Sequence, residues 1–191
     1  MGSIQQLFVR ANQELKKVID QIGDEQWELQ MPAGLTSKPI DLKGAVNYHA
    51  YDDAWVPEVL EGKIKEEVGD KYESVLASDD TKNVYAKYNE LAIHAVEPFS
   101  ELERPTHLSY GDYPAREYLQ HITLFRGLRS YDIAKLIGVD ATLAPDFVQG
   151  LWDEYETLAD GYREYGILPP ALEAPDNADL QTKFLALVGR Q

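Results

Sequence analysis

Ile4, Leu7, Phe8, Ala11, Leu15, Val18, Ile19 and Ile22 recur at steps of three and four residues, the spacing that lays apolar side chains along one face of an α-helix. Ser3 is placed to cap this run and Gly23 to end it. The same period returns in five later stretches, while no convincing β alternation, internal repeat or low-complexity tract appears. A chain written this way must bury helical faces against one another, which predicts an all-α fold.

The second helix is predicted from the Asp41 cap to Glu61, with Leu42, Val46, Val56 and Leu60 on its stripe. Pro57 inside it removes a backbone donor, so the helix is expected to kink there or end early. A third helix starts after Asp79 or Asp80 and presents Val84, Tyr88, Leu91 and Ala95 inward up to about Pro98. His94, beside Leu91, has either orientation open to it. The fourth opens at Pro114 and closes at Gly138, with Tyr118, Ile122, Phe125, Arg129, Ile133 and Leu136 on one broad face. A fifth runs from Pro145 to Gly166 and carries Phe147, Leu151, Tyr155, Leu158 and Tyr162. Pro169, Pro170 and Pro175 interrupt before a short terminal helix, Asp179 to Val188, with Leu180, Phe184 and Leu187.

The connections carry their own signals. Asp24 to Pro39, with Pro32, Gly34, Thr36, Ser37 and Pro39, is turn-rich, and its Trp27 and Met31 are expected to cover one end of the core. Lys63 to Ser78 reads as an exposed charged connection and Glu103 to Pro114 as a loop. The expectation is a single domain over residues 1–191, with a helical core over about 3–138 and a C-terminal helical extension over about 139–191.

A chain of 191 residues can bury such a core without staples. The absence of cysteine excludes disulfides, zinc-thiolate sites and a cysteine nucleophile, so any metal must be held by His, Asp or Glu. Thirty-three acidic against eighteen basic residues give a net charge of −15, which repels phosphate backbones and anionic membranes. Nucleic-acid and membrane partners are therefore not expected. The N-terminal residues have no basic region followed by an apolar core, and no stretch has the length of a membrane span, so the expected location is cytoplasmic. Glycine-rich phosphate loops, a nucleophile elbow and the His-Glu-x-x-His zinc motif are missing.

His49 stands out because it lies on the apolar stripe of the second helix, with Asp52 at i+3 and Asp53 at i+4. Imidazole beside carboxylate suits a metal site or acid-base chemistry. It equally suits a core histidine bonded to a neighbouring helix, with both aspartates in water. Tyr48, Tyr51, Tyr110, Tyr113, Tyr118 and Tyr131 flank the loops and helix ends around this position, as core residues or with one of them as a proton donor. His107 is expected to be solvated in its loop.

Trp27 to Pro32 followed by Asp-Leu-Lys-Gly-Ala-Val-Asn-Tyr-His, then Trp-Val-Pro-Glu-Val-Leu-Glu-Gly, then Tyr-Asp-Ile-Ala-Lys-Leu-Ile-Gly, together resemble the DinB-like metal-binding bundles. The branch they resemble is the mycothiol-dependent maleylpyruvate isomerase-like proteins, with a similar Leu-Ala-Leu-Val-Gly-Arg ending. The resemblance implies a four-helix bundle of up-down-down-up topology and a divalent metal, zinc or nickel, near one end of its core. It also implies a low-molecular-weight thiol such as mycothiol, and a thiol-dependent isomerase or transferase activity. His49 matches the ligand that the second helix supplies. The remaining ligands, at i and i+4 of the fourth helix, fall on Phe125 and Arg129, neither of which coordinates a cation.

The metal site is therefore read as altered or lost. Arg129 can supply the missing positive charge as an electrostatic stabiliser in catalysis, hold Asp53 or Asp132, or bind a small carboxylate through two parallel hydrogen bonds. A displaced metal site of His49, Asp53 and His121 is another arrangement. His121 lies two turns from Arg129, about 12 Å along the helix, and would meet Asp53 if the two helices are antiparallel. An Asp53–His121 hydrogen bond without metal is its simpler form. The alternative function is a non-enzymatic small-ligand-binding or stress-response protein, in which Arg129 and His121 orient an acidic ligand. Carboxylate or thiol small molecules are the expected partners, and a homodimer through a bundle face is a third arrangement.

Overall fold

The computed structural model describes residues 3–36 and 38–191. Ser37, read above as part of the turn-rich connection, lies outside the described residues, as do the first two. The described chain is predominantly helical, as the apolar spacing requires. Its helices are α1 (Ile4–Ile19), α2 (Leu42–Leu60), α3 (Lys65–Val68), α4 (Thr81–Val96), α5 (Ala115–Ile137), α6 (Pro145–Tyr155), α7 (Ala159–Glu164) and α8 (Leu180–Leu187). Two strands, β1 (Pro105–Leu108) and β2 (Gly111–Pro114), form a single hairpin. No helix among the described residues is long and apolar enough to cross a membrane.

The local chemistry explains the boundaries. The Asp41 carboxylate accepts a hydrogen bond from the Gly44 amide at 2.7 Å, and Asp179 accepts one from Thr182 at 2.7 Å, each satisfying a donor that a helix start leaves open. Pro145 occupies the first turn of α6, where its missing donor is harmless, and Gly138 ends α5 at φ +76°. Pro57 does not end α2, which continues to Leu60. The donor it lacks would have bonded the carbonyl of Asp53, four residues earlier.

Two compact units emerge, Ile4–Ala141 and Thr142–Gln191. In the first, α1 packs along α5 and against α4, and α4 packs along α2. Lys82 Nζ donates to the Ile22 carbonyl at 2.6 Å, and the Asn89 amide donates to Asn12 at 2.7 Å, so α4 runs opposite to α1. The Gln26 amide donates to the Ile137 carbonyl at 3.1 Å, while Arg126 meets Asn12, so α5 runs with α1. Asn47 donates to the Ser78 carbonyl at 2.9 Å beside the start of α4, and Trp55 lies with Tyr88 around the Tyr72 ring, so α2 runs with α4. Leu15, Ile19, Leu42, Val46 and Ile133 close the core, with Met31 buried and Trp27 half-buried at its end. The α2–α5 edge has no comparable close packing of backbones, and long polar side chains span it.

In the second unit α6 packs on α8 through Phe147, Leu151, Tyr155, Phe184 and Leu185. Arg163 donates to the Leu187 carbonyl at 2.7 Å, and the Leu172 amide to the Ala186 carbonyl at 2.8 Å. The expected fifth helix is broken into α6 and α7 by a turn at residues 156–158.

Two connections differ from expectation. Lys63 to Ser78 is not simply exposed: Tyr72 and Val75 are buried against α2. Glu58 holds the segment down by accepting from Lys63 at 2.5 Å, Lys71 at 2.6 Å and the Tyr72 hydroxyl at 2.8 Å. These hydrogen bonds pull its carboxyl down to about 2. The loop before α5 contains the hairpin, whose strands are too short for their alternation to register and carry proline at their outer ends. Its turn depends on Gly111 at φ +139°. His107 is exposed, as expected, and its Nδ1 lies 2.8 Å from Asp112 across this hairpin.

The inward face of α4 is also rotated. Thr81, Tyr85, Asn89, Ala92 and Val96 are buried, whereas Leu91 and His94 are exposed. Apolar spacing pointed elsewhere because three of the buried residues, Thr81, Tyr85 and Asn89, carry polar groups, and Asn89 finds its partner on α1 in Asn12.

Candidate functional site

Leu119, Arg126 and Ile133 lie at i, i+7 and i+14 on α5 and are all buried. Arg126 therefore enters the core at a position that two apolar residues bracket. Its Nε donates to Asp53 Oδ1 at 2.9 Å, and Nη2 donates to the same oxygen. Nε also reaches Asn12 Oδ1 at 3.2 Å, Nη1 donates to the Ile122 carbonyl at 3.0 Å, and the guanidinium carbon stands 5.3 Å from the Phe8 ring centre. Asn89 closes the layer by donating to Asn12 and meeting the Tyr85 hydroxyl at 3.0 Å. One polar layer thus joins Asn12 of α1, Asp53 of α2, Tyr85 and Asn89 of α4, and Arg126 of α5.

Burial pushes the Asp53 carboxyl up, against the pull of Arg126, and its Oδ2 makes no hydrogen bond. Along the same seam, His49 is buried with Nδ1 likewise unbonded. Burial, followed by the charges of Arg129 and Arg126, holds the imidazole well below its ordinary pKa, so it is neutral at physiological pH. Arg129 is buried near it. Its Nη2 donates to the Leu35 carbonyl at 2.9 Å, and Nη1 lies 3.7 Å from Asp132. Of the roles open to Arg129, the structure pairs it with Asp132 and gives Asp53 to Arg126.

His121 does not join Asp53. Its Nδ1 lies 3.3 Å from the Tyr110 hydroxyl, and its ring packs against Tyr113 and Tyr110 with centroids 5.2 and 5.9 Å away. These contacts tie the hairpin to α5, and the hairpin also packs on α2, so it covers one end of the α2–α5 seam. Phe125 faces outward.

The divalent metal that the family resemblance implies does not fit this arrangement. The Asp53 carboxylate is already paired through Oδ1 with the Arg126 guanidinium, and His121 is held among tyrosines. Two guanidinium charges face His49. Among the described residues no three His, Asp or Glu side chains gather as a cation would need.

The chain matches no protein-family model, no curated protein and no solved structure. The site must be read from its own geometry.

Asp52 completes that geometry. It is half-buried on α2 beside Asp53, and among the described residues it makes no hydrogen bond. Desolvation raises its carboxyl to about 7, opposed by Arg126 and reinforced by Asp53. The Asp52 charge in turn opposes ionisation of Tyr48, Tyr51, Tyr110 and Tyr118. Desolvation leads at Tyr110, whose phenol is pushed up to about 12.

Sequence reasoning passed over Arg126, Asn12, Asn89 and the separate character of Asp52. The seven-residue spacing with Leu119 and Ile133 was the available signal for Arg126. Asn12 likewise falls beside Ala11 and Leu15 on the buried side of α1.

Proposed function

We propose that this chain is a DinB-like bundle whose α2–α5 seam binds a small organic molecule without a metal. The observation that carries the reading is the Arg126–Asp53 pair. A fixed guanidinium occupies the carboxylate of the seam and supplies, inside the bundle, the positive charge a metal would bring. The directions of α1, α2, α4 and α5 fit the up-down-down-up arrangement that the sequence resemblance implies. The neutral His49 and the half-buried Asp52 are polar groups with unused hydrogen-bonding capacity, the kind that orients a ligand in an otherwise apolar site. A thiol-dependent isomerase or transferase on this scaffold would take its electrostatic stabilisation from Arg126 and Arg129.

The test is metal analysis of untagged protein, joined to thermal-shift measurements with zinc, nickel, a chelator, and panels of carboxylates, thiols and amines. The reading expects metal well below about one per chain, no destabilisation by the chelator, and stabilisation by an organic compound after chelation. Stoichiometric zinc or nickel that disappears in His49→Ala would overturn it.

A further inference from the structure

We infer that Tyr48, Tyr51, Trp55, Tyr72 and Tyr88 form a relay that carries an oxidising equivalent from the surface of α4 to the exposed ring of Tyr48, where a soluble reductant removes it. The relay goes beyond the small-molecule reading and does not depend on it, because its α2 members lie on the face turned away from Asp53. Tyr48, Tyr51 and Trp55 recur at i, i+3 and i+7 on α2, which lines them up along the helix. Tyr72 joins them from the segment before α4, and Tyr88 from α4 itself. Successive ring centroids are 6.3, 6.1, 5.9 and 5.9 Å apart, so each step of the row is an aromatic contact. In a chain without cysteine, phenols and indoles are the chief one-electron donors, and electrons pass readily between rings in contact.

A phenol gives up an electron readily only when its proton can leave with it, and the row supplies the acceptors. The Tyr72 hydroxyl donates to Glu58 Oε1 at 2.8 Å, and the Tyr51 hydroxyl donates to Glu73 Oε1 at 3.4 Å. Hydrogen bonds from Lys63 and Lys71 hold the Glu58 carboxyl down to about 2, so it is a weak base that returns the proton once Tyr72 regains an electron. Tyr72 therefore passes the oxidising equivalent on. Trp55 Nε1 is buried without a hydrogen bond, so an oxidised Trp55 keeps its indole proton and stays a strong oxidant of the next ring. Glu73 is exposed and exchanges protons with water.

Fixed charges give the row a direction. Lys71 Nζ stands 4.9 Å over the Tyr72 ring and Lys87 Nζ 4.8 Å over the Tyr88 ring, and a cation over a ring opposes removal of its electrons. Among the described residues no cation stands over Tyr48, Tyr51 or Trp55, and Glu73 adds a negative charge beside Tyr51. Positive charge is thus driven from Tyr88 and Tyr72 toward Tyr48, whose ring is 53% exposed. A peroxyl radical takes one electron from half-buried Tyr88 and, with a proton from water, becomes a hydroperoxide, while the Tyr88 phenolic proton goes to water. Tyr72 then refills Tyr88 and lends its own proton to Glu58, Trp55 refills Tyr72, and Tyr51 refills Trp55 and lends its proton to Glu73. Tyr48 refills Tyr51, loses its proton to water, and recovers a hydrogen atom from a thiol, which is the group finally oxidised.

The experiment uses the absence of cysteine. Leu91→Cys, exposed on α4 one turn from Tyr88, carries a ruthenium tris-bipyridine photo-oxidant at one defined place in the full chain. The labelled protein is illuminated with an electron-accepting quencher and a nitroso spin trap, and peptide mass spectrometry maps the adducts. They should collect on Tyr48. In Trp55→Phe, which keeps a ring in place but removes its easily lost electron, the Tyr48 adducts should be lost and Tyr72 and Tyr88 should carry them instead. Lys71→Met combined with Lys87→Met should move adducts from Tyr48 back toward Tyr72 and Tyr88 with the fold intact, a redistribution that packing alone would not produce. Circular dichroism verifies folding, and if Trp55→Phe does not fold, half-buried Tyr51→Phe decides by the same loss. Adducts confined to Tyr88 and Tyr72 in the unsubstituted row overturn the inference. Undiminished Tyr48 adducts in a folded Trp55→Phe or Tyr51→Phe also overturn it, since the oxidant then reaches Tyr48 without the row, and an unchanged distribution in the lysine variant overturns its direction.

Discussion

Arg126 and Asp53 form an ion pair removed from water, in which two guanidinium N–H groups converge on one carboxylate oxygen while the other oxygen makes no hydrogen bond. The pair joins α2 to α5, the two long helices that lack close packing along their lengths, and Asn12 and Asn89 extend the link to α1 and α4. Desolvating two charges offsets most of their attraction, so the pair contributes more to which helices meet, and in which register, than to net stability.

Removing one partner strands the other charge in the core. Arg126→Met or Asp53→Asn alone should cost about 3–5 kcal/mol. The double variant Arg126→Met with Asp53→Leu should cost far less than the sum, because no charge is left behind. Urea denaturation of the four proteins measures this. Single variants that cost less than about 1 kcal/mol would show that water reaches the pair.

The apolar spacing made α1 legible to within a few residues, and the Asp41 and Asp179 caps located α2 and α8, because these signals are local. The polar layer was not legible in the same way. Asn89 is buried only because Asn12 receives it, and Arg126 only because Asp53 does, and such partnerships join residues far apart in the chain. Apolar periodicity therefore favoured Leu91 over Asn89 on α4 and Phe125 over Arg126 on α5. His49 was found because it sits within an apolar stripe, but its surroundings depend on α5. The aspartates at 52 and 53 look equivalent in sequence, and the fold separates them into one paired with arginine and one that is not.

His49 gives a pH prediction with a definite sign. Burial and the two arginines hold its folded pKa well below the ordinary value, so below about pH 6.5 the unfolded chain takes up a proton that the folded chain does not. Stability contributed by neutral His49 is complete above that pH and declines on acidification by up to about 1.4 kcal/mol per pH unit, until the folded pKa is reached. His49→Gln should lack this slope, so the wild-type minus variant stability difference should fall between pH 7.5 and pH 5. Ring resonances of His49 that titrate near pH 6.5 in the folded protein would contradict the assignment.

The hairpin gives a backbone prediction. Gly111 holds φ +139°, and a Cβ there would stand 3.2 Å from the Tyr113 ring, which packs on His121. Gly111→Ala should cost about 1–3 kcal/mol and loosen the hairpin over the seam. Hydrogen exchange of the Thr106 to Tyr113 amides should accelerate more than that of α2 or α4. Uniform acceleration across all helices would mean that the hairpin opens only when the whole unit unfolds.

Asp52 should make the protein less stable than it need be. Its folded pKa, about 7, lies above the ordinary carboxylate value, so between about pH 4 and pH 7 the folded chain holds a proton that the unfolded chain has lost. Stability from this group is therefore present at low pH, declines as pH rises through about 7, and is constant beyond. His49 slopes the opposite way in part of this range, so the test is the difference between wild type and Asp52→Asn, in which His49 is common to both. An unscreened shift of this size would correspond to about 4 kcal/mol, and partial exposure reduces the expected difference to about 1–2 kcal/mol. Asp52→Asn should thus be more stable than wild type by that amount at pH 8 and nearly equal to it at pH 4, in urea titrations at several pH values. A wild type that is the more stable protein at pH 8 would show instead that Asp52 already has a cationic partner within the chain.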